Sequence, residues 1–308
     1  MATPTQQQVH LDGALTNISV AYRNANYIAE TVFPNVPVVK QSNKYFVFTK
    51  SDWFRDEAAP RAPGTRAQRV DYNLSASNYL CAEWAVAKGV PDEVVDNADT
   101  PLRPVAEAAE YVTDKMYLRK EILVAAIVHG NSQWSASATP STLWSNDTSD
   151  PIGDVNTALD SVRSSIGRDP NKGVIGAGLW RFLVKHPDLI DRVKGAASPG
   201  SPAILTMQAI AALFELEQIL VGKAVKDTGQ EGATATRAYV WGNHLAICYT
   251  TNTPSLNSPS AGYVFQWGAR AVNRYREDQE HQDIIEVTES FDQKLVASDA
   301  GYLLKSAA

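Results

Sequence analysis

The chain has 308 residues, with 28 basic against 34 acidic side chains for a formal charge of −6, and 44% of its residues are apolar. That apolar content excludes the disordered class, and the acidic balance excludes a protein that grips nucleic-acid phosphates, which needs a surplus of Lys and Arg. Cys81 and Cys248 stand alone without a Cys-x-x-Cys partner, so no disulfide framework and no zinc site is expected, and a reducing compartment is the default. The first residues lack a basic start and an apolar stretch, and the longest purely apolar run is Ile122 to Val128, so no export signal and no membrane span is expected.

Residues 1–40 read as a polar N-terminal arm with a short helix around Ala14 to Arg23 and with Pro4, Pro34 and Pro37 interrupting regular structure. Such an arm needs something to lie on. Residues 41–86 change to alternation: Tyr45, Val47 and Thr49 against Phe46 and Phe48, then a Pro- and Gly-containing tip, then a return strand between Tyr72 and Val86. This is the pattern of a long extended β-hairpin. From Lys40 to Val70 there are seven bases and three acids, a local excess of positive charge in an acidic chain. Arg55, Arg61, Arg66 and Arg69 are expected to supply electrostatics at a contact with another subunit, and Trp53 and Phe54 the burial.

Residues 87–150 contain the clearest helix, expected over Pro101–His129, with Thr100 as its cap and Pro101 at its first position. Its stripe is Val105, Ala109, Val112, Met116, Leu123 and Ile127. Gly130 to Pro151 is polar but contains Trp134 and Trp144, a surface loop pinned by aromatics. Residues 151–270 mix helices and short strands into one α+β domain. Asp154 is expected to cap a helix with stripe Val155, Leu159, Val162 and Ile166, ended by Gly167; Gly173 to Gly176 is a buried strand; Leu179 to Val184 is helical up to His186-Pro187. Thr206 to Phe214 reads as helix, and Gln218 to Val225 and Ala238 to Tyr249 as strands. Residues 271–308 read as return strands. Seven acids against three bases lie between Arg274 and Lys294, and Glu277, Asp278 and Glu280 are the expected acidic partners of the hairpin arginines.

Little in the chain announces chemistry. The five histidines are scattered, the Glu280-His281 cluster with Asp278 and Asp283 falls on alternating strand faces, and His186-Pro187-Asp188 sits at a helix break where capping accounts for it. Gly176-Ala177-Gly178 has Arg181 where a dinucleotide loop needs its third glycine, and no nucleophile elbow is present. No catalytic residue, no metal and no cofactor is assigned.

The order of parts, polar arm, basic hairpin, long helix, α+β domain and acidic returning strands, resembles the major capsid proteins of tailed double-stranded DNA bacteriophages, which share the Hong Kong 97-type fold. Val174-Ile175-Gly176-Ala177-Gly178-Leu179-Trp180 with His186-Pro187-Asp188, and Ile219-Leu220-Val221-Gly222-Lys223-Ala224 followed by Tyr239-Val240-Trp241-Gly242-Asn243, look like passages of that family's axial domain. The resemblance implies a non-enzymatic shell protein of the virion, assembled in the host bacterial cytoplasm. It implies an N-terminal arm (1–40), an extended hairpin loop (41–86), a peripheral domain with its spine helix (87–150), an axial domain (151–270) and peripheral return strands (271–308). Implied partners are copies of itself in hexamers and pentamers, a separate scaffolding protein, a portal and, on some shells, a decoration protein, around DNA held without sequence-specific binding. Lys44 and Lys50 lie in the hairpin, but no motif marks an asparagine partner for a covalent crosslink. Two alternatives stay open: an encapsulin-type compartment shell, and a soluble hydrolase with a nonlocal site.

Overall fold

The computed structural model describes residues 27–48, 54–194, 205–229, 232, 235–254 and 259–308, so Trp53 and the expected helix at Ala14 to Arg23 lie outside the described residues. Two sheets meet along one long helix. The first sheet has the order β1 (Asn35–Val38), β11 (Gly262–Glu277), β12 (Gln282–Leu295), β4 (Ala82–Pro91), with β1 parallel to β11 and the other pairs antiparallel. Helix α3 (Pro104–Val128) lies across β12 and β4 and buries Ala108, Val112, Met116, Val124, Ala125 and Val128. Its 25 residues span about 37 Å.

The helix starts three residues later than its sequence signals suggest. Pro104 takes the first helical position, and Arg103, held out of the α region by the proline after it, is the cap. Thr100 and Pro101 lie instead in a turn closed by the Leu102 amide on the Asp99 carbonyl. Of the expected stripe, Val112 and Met116 are fully buried, whereas Val105, Ala109, Leu123 and Ile127 sit at its margins.

The second sheet has the order β5 (Ala136–Ala138), β13 (Gly301–Leu304), β10 (Leu245–Cys248), β6 (Lys172–Gly176), β7 (Gln218–Gly222). Every residue of β6, β10 and β13 is buried, as short strands covered on both faces must be. Helix α4 (Pro151–Ile166) packs on it with Val155, Leu159, Val162 and Ile166 and stops at Gly167, whose φ of 66° is the left-handed stop that glycine favours. Asp150, not Asp154, caps this helix by accepting from the Gly153 amide; Asp154 accepts instead from the Trp144 indole, 2.8 Å away. Trp134 donates to the Val128 carbonyl at 2.7 Å, so the loop is pinned by its two tryptophans, both buried.

Helices α5 (Ala177–Leu183), α6 (Pro187–Lys194) and α7 (Met207–Leu213) follow, the last capped by Thr206. The two strands read over 218–225 and 238–249 are each interrupted. Between β7 and β8 (Val225–Asp227) the chain turns at Lys223 and Ala224. Between β9 (Arg237–Tyr239) and β10 the Trp241 ring fills the space a side chain at Gly222 would need. Gly176 faces the Gly242 carbonyl 2.0 Å from where a Cβ would stand, so close packing, not phosphate binding, explains that glycine. The return strand read over 72–86 is two strands, β3 (Leu74–Leu80) and β4, parted at Cys81, where the chain leaves one sheet for another. Residues after 271 also divide, β12 joining the first sheet and β13 the second.

His129 ends α3 at the junction of the sheets. Its Nε2–H donates to the Val174 carbonyl at 3.3 Å, and its ring meets Trp241 and His244 edge-on. Burial, with His244 beside it, pushes its pKa down to about 3. The folded pKa lies below the unfolded value near 6.5, so this contribution is whole above pH 6.5 and is lost as pH falls toward 3. Unfolding free energies from urea titrations of the unassembled chain between pH 7 and 5 should fall more steeply for the native protein than for His129→Gln, by up to about 1.4 kcal/mol per pH unit.

Candidate intersubunit surface

The surface is built on a rigid base that hydrophobic patterning alone does not reveal. Lys120 stands four residues after Met116, on the buried stripe of α3. Its ammonium lies 2.9 Å from Glu30 and 2.7 Å from Glu289, and Glu289 lies 2.9 Å from Arg270. The neighbouring Glu121 accepts from the amides of Ile28 (3.1 Å) and Ala29 (2.8 Å) and from the Trp241 indole (2.6 Å). It therefore holds the start of α1 (Ala29–Val32) and the loop leading into β10 to one carboxylate. Burial pushes the Glu121 carboxyl up against those three donors, while Glu30, despite its own partial burial, is held down by the Lys120 hydrogen bond and charge.

A buried ion cluster contributes little net stability when intact but is costly to break, because the survivor is left charged without its partner. Lys120→Met should lower unfolding free energy by about 3 to 5 kcal/mol in chemical denaturation. Lys120→Met combined with Glu289→Met should recover part of that loss.

From this base projects a two-stranded ribbon, β2 (Ser42–Phe48) against β3, in the register Phe46 to Ala76 and Ser42 to Leu80. One face is anchored: Tyr79 stacks on Phe265 at 4.6 Å, Tyr45 approaches the same ring at 5.6 Å, and the Leu80 amide donates to Asp292. The other face is bare, with Phe46 54% and Leu80 60% exposed. A two-stranded ribbon alone is marginal in water. Beyond it, residues 54–73 have no core of their own: none is buried, and all but Glu57 are exposed.

The expected site residues fall as follows. Phe54 is exposed, with one ring edge against Gly167 at the end of α4. Arg55 pairs locally with Glu57 at 3.4 Å, while Arg61, Arg66 and Arg69 make no ion pair with a described residue. Glu277, Asp278 and Glu280 are exposed at the turn joining β11 and β12, two of them accepting from Gln282 and Asp278 lying 3.5 Å from Arg276. The arginines and these acids do not meet within one copy. Three of the four remaining acids of the terminal strands are less available than their count suggests: Glu289 is in the buried cluster, Asp283 pairs with Arg274 and Arg276, and Asp292 with Lys294. Lys120 and Glu121 were legible as charges on an apolar stripe; Glu30 and Glu289 carried no local signal.

No protein-family model matches the chain. It is 27% identical over 305 residues to the major capsid protein of Pseudomonas phage JBD67, covering 96% of this chain and 97% of that one. It is 28% identical to that of Burkholderia phage BcepMu, over 96% and 95% of the two chains. Among solved structures, a phage-related protein of Bordetella bronchiseptica RB50 is similar with a TM-score of 0.70 and 27% identity, over 96% and 97% of the chains. The capsid of cyanophage P-SCSP1u is similar with a TM-score of 0.62 at 11% identity, over 97% and 93%.

Proposed function

We propose that this chain, a relative of phage major capsid proteins with the Hong Kong 97-type capsid fold, is the subunit of an icosahedral shell enclosing a phage double-stranded DNA genome. The observation that carries the reading is sequence similarity to two phage major capsid proteins along nearly the whole length of all three chains. The same relatives favour it over a cargo compartment or a soluble hydrolase, and they are structural proteins, so a non-enzymatic role is part of the reading.

The first sheet with α3 is assigned to the peripheral domain and the second to the axial domain around capsomer centres, in hexamers and pentamers. The ribbon and residues 54–73 are the extended loop that lies on a neighbour. Its bare apolar face supports the burial, and Arg61, Arg66 and Arg69 support a pairing with Glu277, Asp278 and Glu280 of another copy. A shell tolerates modest single contacts because symmetry multiplies them. A separate scaffolding protein, a portal and a decoration protein are the further partners proposed. The virion is the proposed location, after assembly in the host cytoplasm, and the acidic balance suits DNA enclosed without being gripped.

The test is size-exclusion chromatography with negative-stain electron microscopy. The native chain should give hollow megadalton particles. Reversing Arg61, Arg66 and Arg69 to Glu should lower particle yield and flatten its dependence on salt, which screens exposed charges beyond about 8 Å at physiological ionic strength. Lysines at 277, 278 and 280 should restore both. Unchanged yield and salt response would remove the charge pairing, and a native chain that stays a monomer or dimer would remove the shell.

A further inference from the structure

Strand β4 closes one side of the first sheet. It pairs with β12 along Ala82–Pro91, and no described residue bonds to the outer edge of those ten residues. Trp84 and Lys88 lie on the face that meets α3; the opposite face presents Ala85 and Ala87, both exposed, so little side-chain bulk keeps another backbone away. An open edge of this length is a template for one more strand, joined by backbone pairing and sorted by side-chain chemistry.

Charge sets the kind of strand that fits. Where α3 borders this edge, the Arg119 guanidinium lies 4.6 Å from the centre of the Trp84 ring, and the Lys88 and Lys115 ammonium groups lie 5.1 and 5.2 Å from that of Tyr111. Tyr111 is 46% exposed, and none of the three bases makes an ion pair with a described residue. A lysine that only blunts an edge projects from it into water; these bases rest on rings along one border, and two of them come from the helix. Lys115 and Arg119 stand about 6 Å apart along α3, and alternate side chains of a strand stand about 6.7 Å apart, so acids at every second position of an added strand meet them in step. The basic stretch ends with β4, because the next helix, α2 (Asp92–Asp96), carries Glu93 and Asp96, both exposed.

The coreless segment of a second copy is a poor complement: residues 54–73 carry Arg55, Arg61, Arg66 and Arg69 against Asp56, Glu57 and Asp71. Duplex DNA answers the charge but leaves the backbone edge unpaired. We infer that the outer edge of β4 takes an extended acidic segment of another protein, added to the first sheet with alternate carboxylates on Lys88, Lys115 and Arg119. The inference concerns the single subunit and stands whether or not shells form.

Fluorescence anisotropy on the full-length, unassembled chain tests it, with a labelled peptide of about five Glu-Thr repeats as the probe. The peptide should bind saturably and slow amide hydrogen exchange over 82–90 at least tenfold, while the buried strand at 172–176 is unchanged. Glu-Pro repeats of the same length and charge, which lack every second amide donor, should bind at least tenfold more weakly. Lys115→Glu with Arg119→Glu should lose the Glu-Thr peptide and gain one of Lys-Thr repeats, an exchange of preference that a misfolded variant would not give. The inference is overturned if the Glu-Thr peptide shows no saturable binding up to about 1 mM, if it binds without slowing exchange over 82–90, or if Glu-Pro repeats bind equally well. Tighter binding of a DNA duplex of about 12 base pairs, lost in the same variant, would assign the surface to nucleic acid and overturn it too.

Discussion

Twenty consecutive residues without a core are the constraint on which the account turns. Between Phe54 and Asn73 nineteen residues are exposed, and contacts within the segment are local, such as a turn at Ala62 to Thr65, the Arg55 to Glu57 pair and the Asp56 and Asp71 side chains on nearby amides. Fixing a backbone costs about 1 to 2 kcal/mol per residue, so a single ordering of this segment costs about 20 to 40 kcal/mol with almost no burial to offset it. The ribbon that bears it is anchored by one aromatic face and bare on the other. A surface of this kind gains its burial from another molecule, and in a closed shell that molecule is a second copy.

The rest of the chain is built in the opposite way. Lys120 and Glu121, adjacent on one helix, tie α1, Trp241 and β12 to the same turn of α3 through ions that are costly to separate. The two sheets are thereby locked to one rod, and the projecting ribbon starts from a base that does not yield. Rigid body and coreless extension together make a subunit whose contacts are set by position more than by individual strength, which is what assembly from many weak contacts requires.

Much of this was legible because it rests on period and punctuation. The α4 stripe and its Gly167 stop, the helix read from Thr206 to Phe214, the buried strand ending at Gly176 and the two tryptophans pinning the loop all follow from local rules. The misread details are competitions between equivalent local signals: Pro101 against Pro104 for the start of α3, and Asp154 against Asp150 for a cap, the latter decided by an indole ten residues away. What local pattern could not show are pairings across the chain. Nothing local marks Glu30 and Glu289 as partners of Lys120, and the acidic surplus of the terminal strands shrinks once Arg274 and Arg276 claim Asp283. The candidate residues at the hairpin and at the β11 to β12 turn were readable as charge, but under the proposed pairing each set meets the other only between copies, which no pattern within one sequence shows.

The most direct measurement compares amide hydrogen exchange over residues 54–73 in purified shells and in subunits dissociated from them. The account predicts exchange near the unstructured limit in the free subunit and strong protection in the shell, with the buried strands at 172–176 and 245–248 equally protected in both. Equal exchange of 54–73 in the two states would contradict it, because the segment would then be held, or left loose, without any contribution from a neighbour.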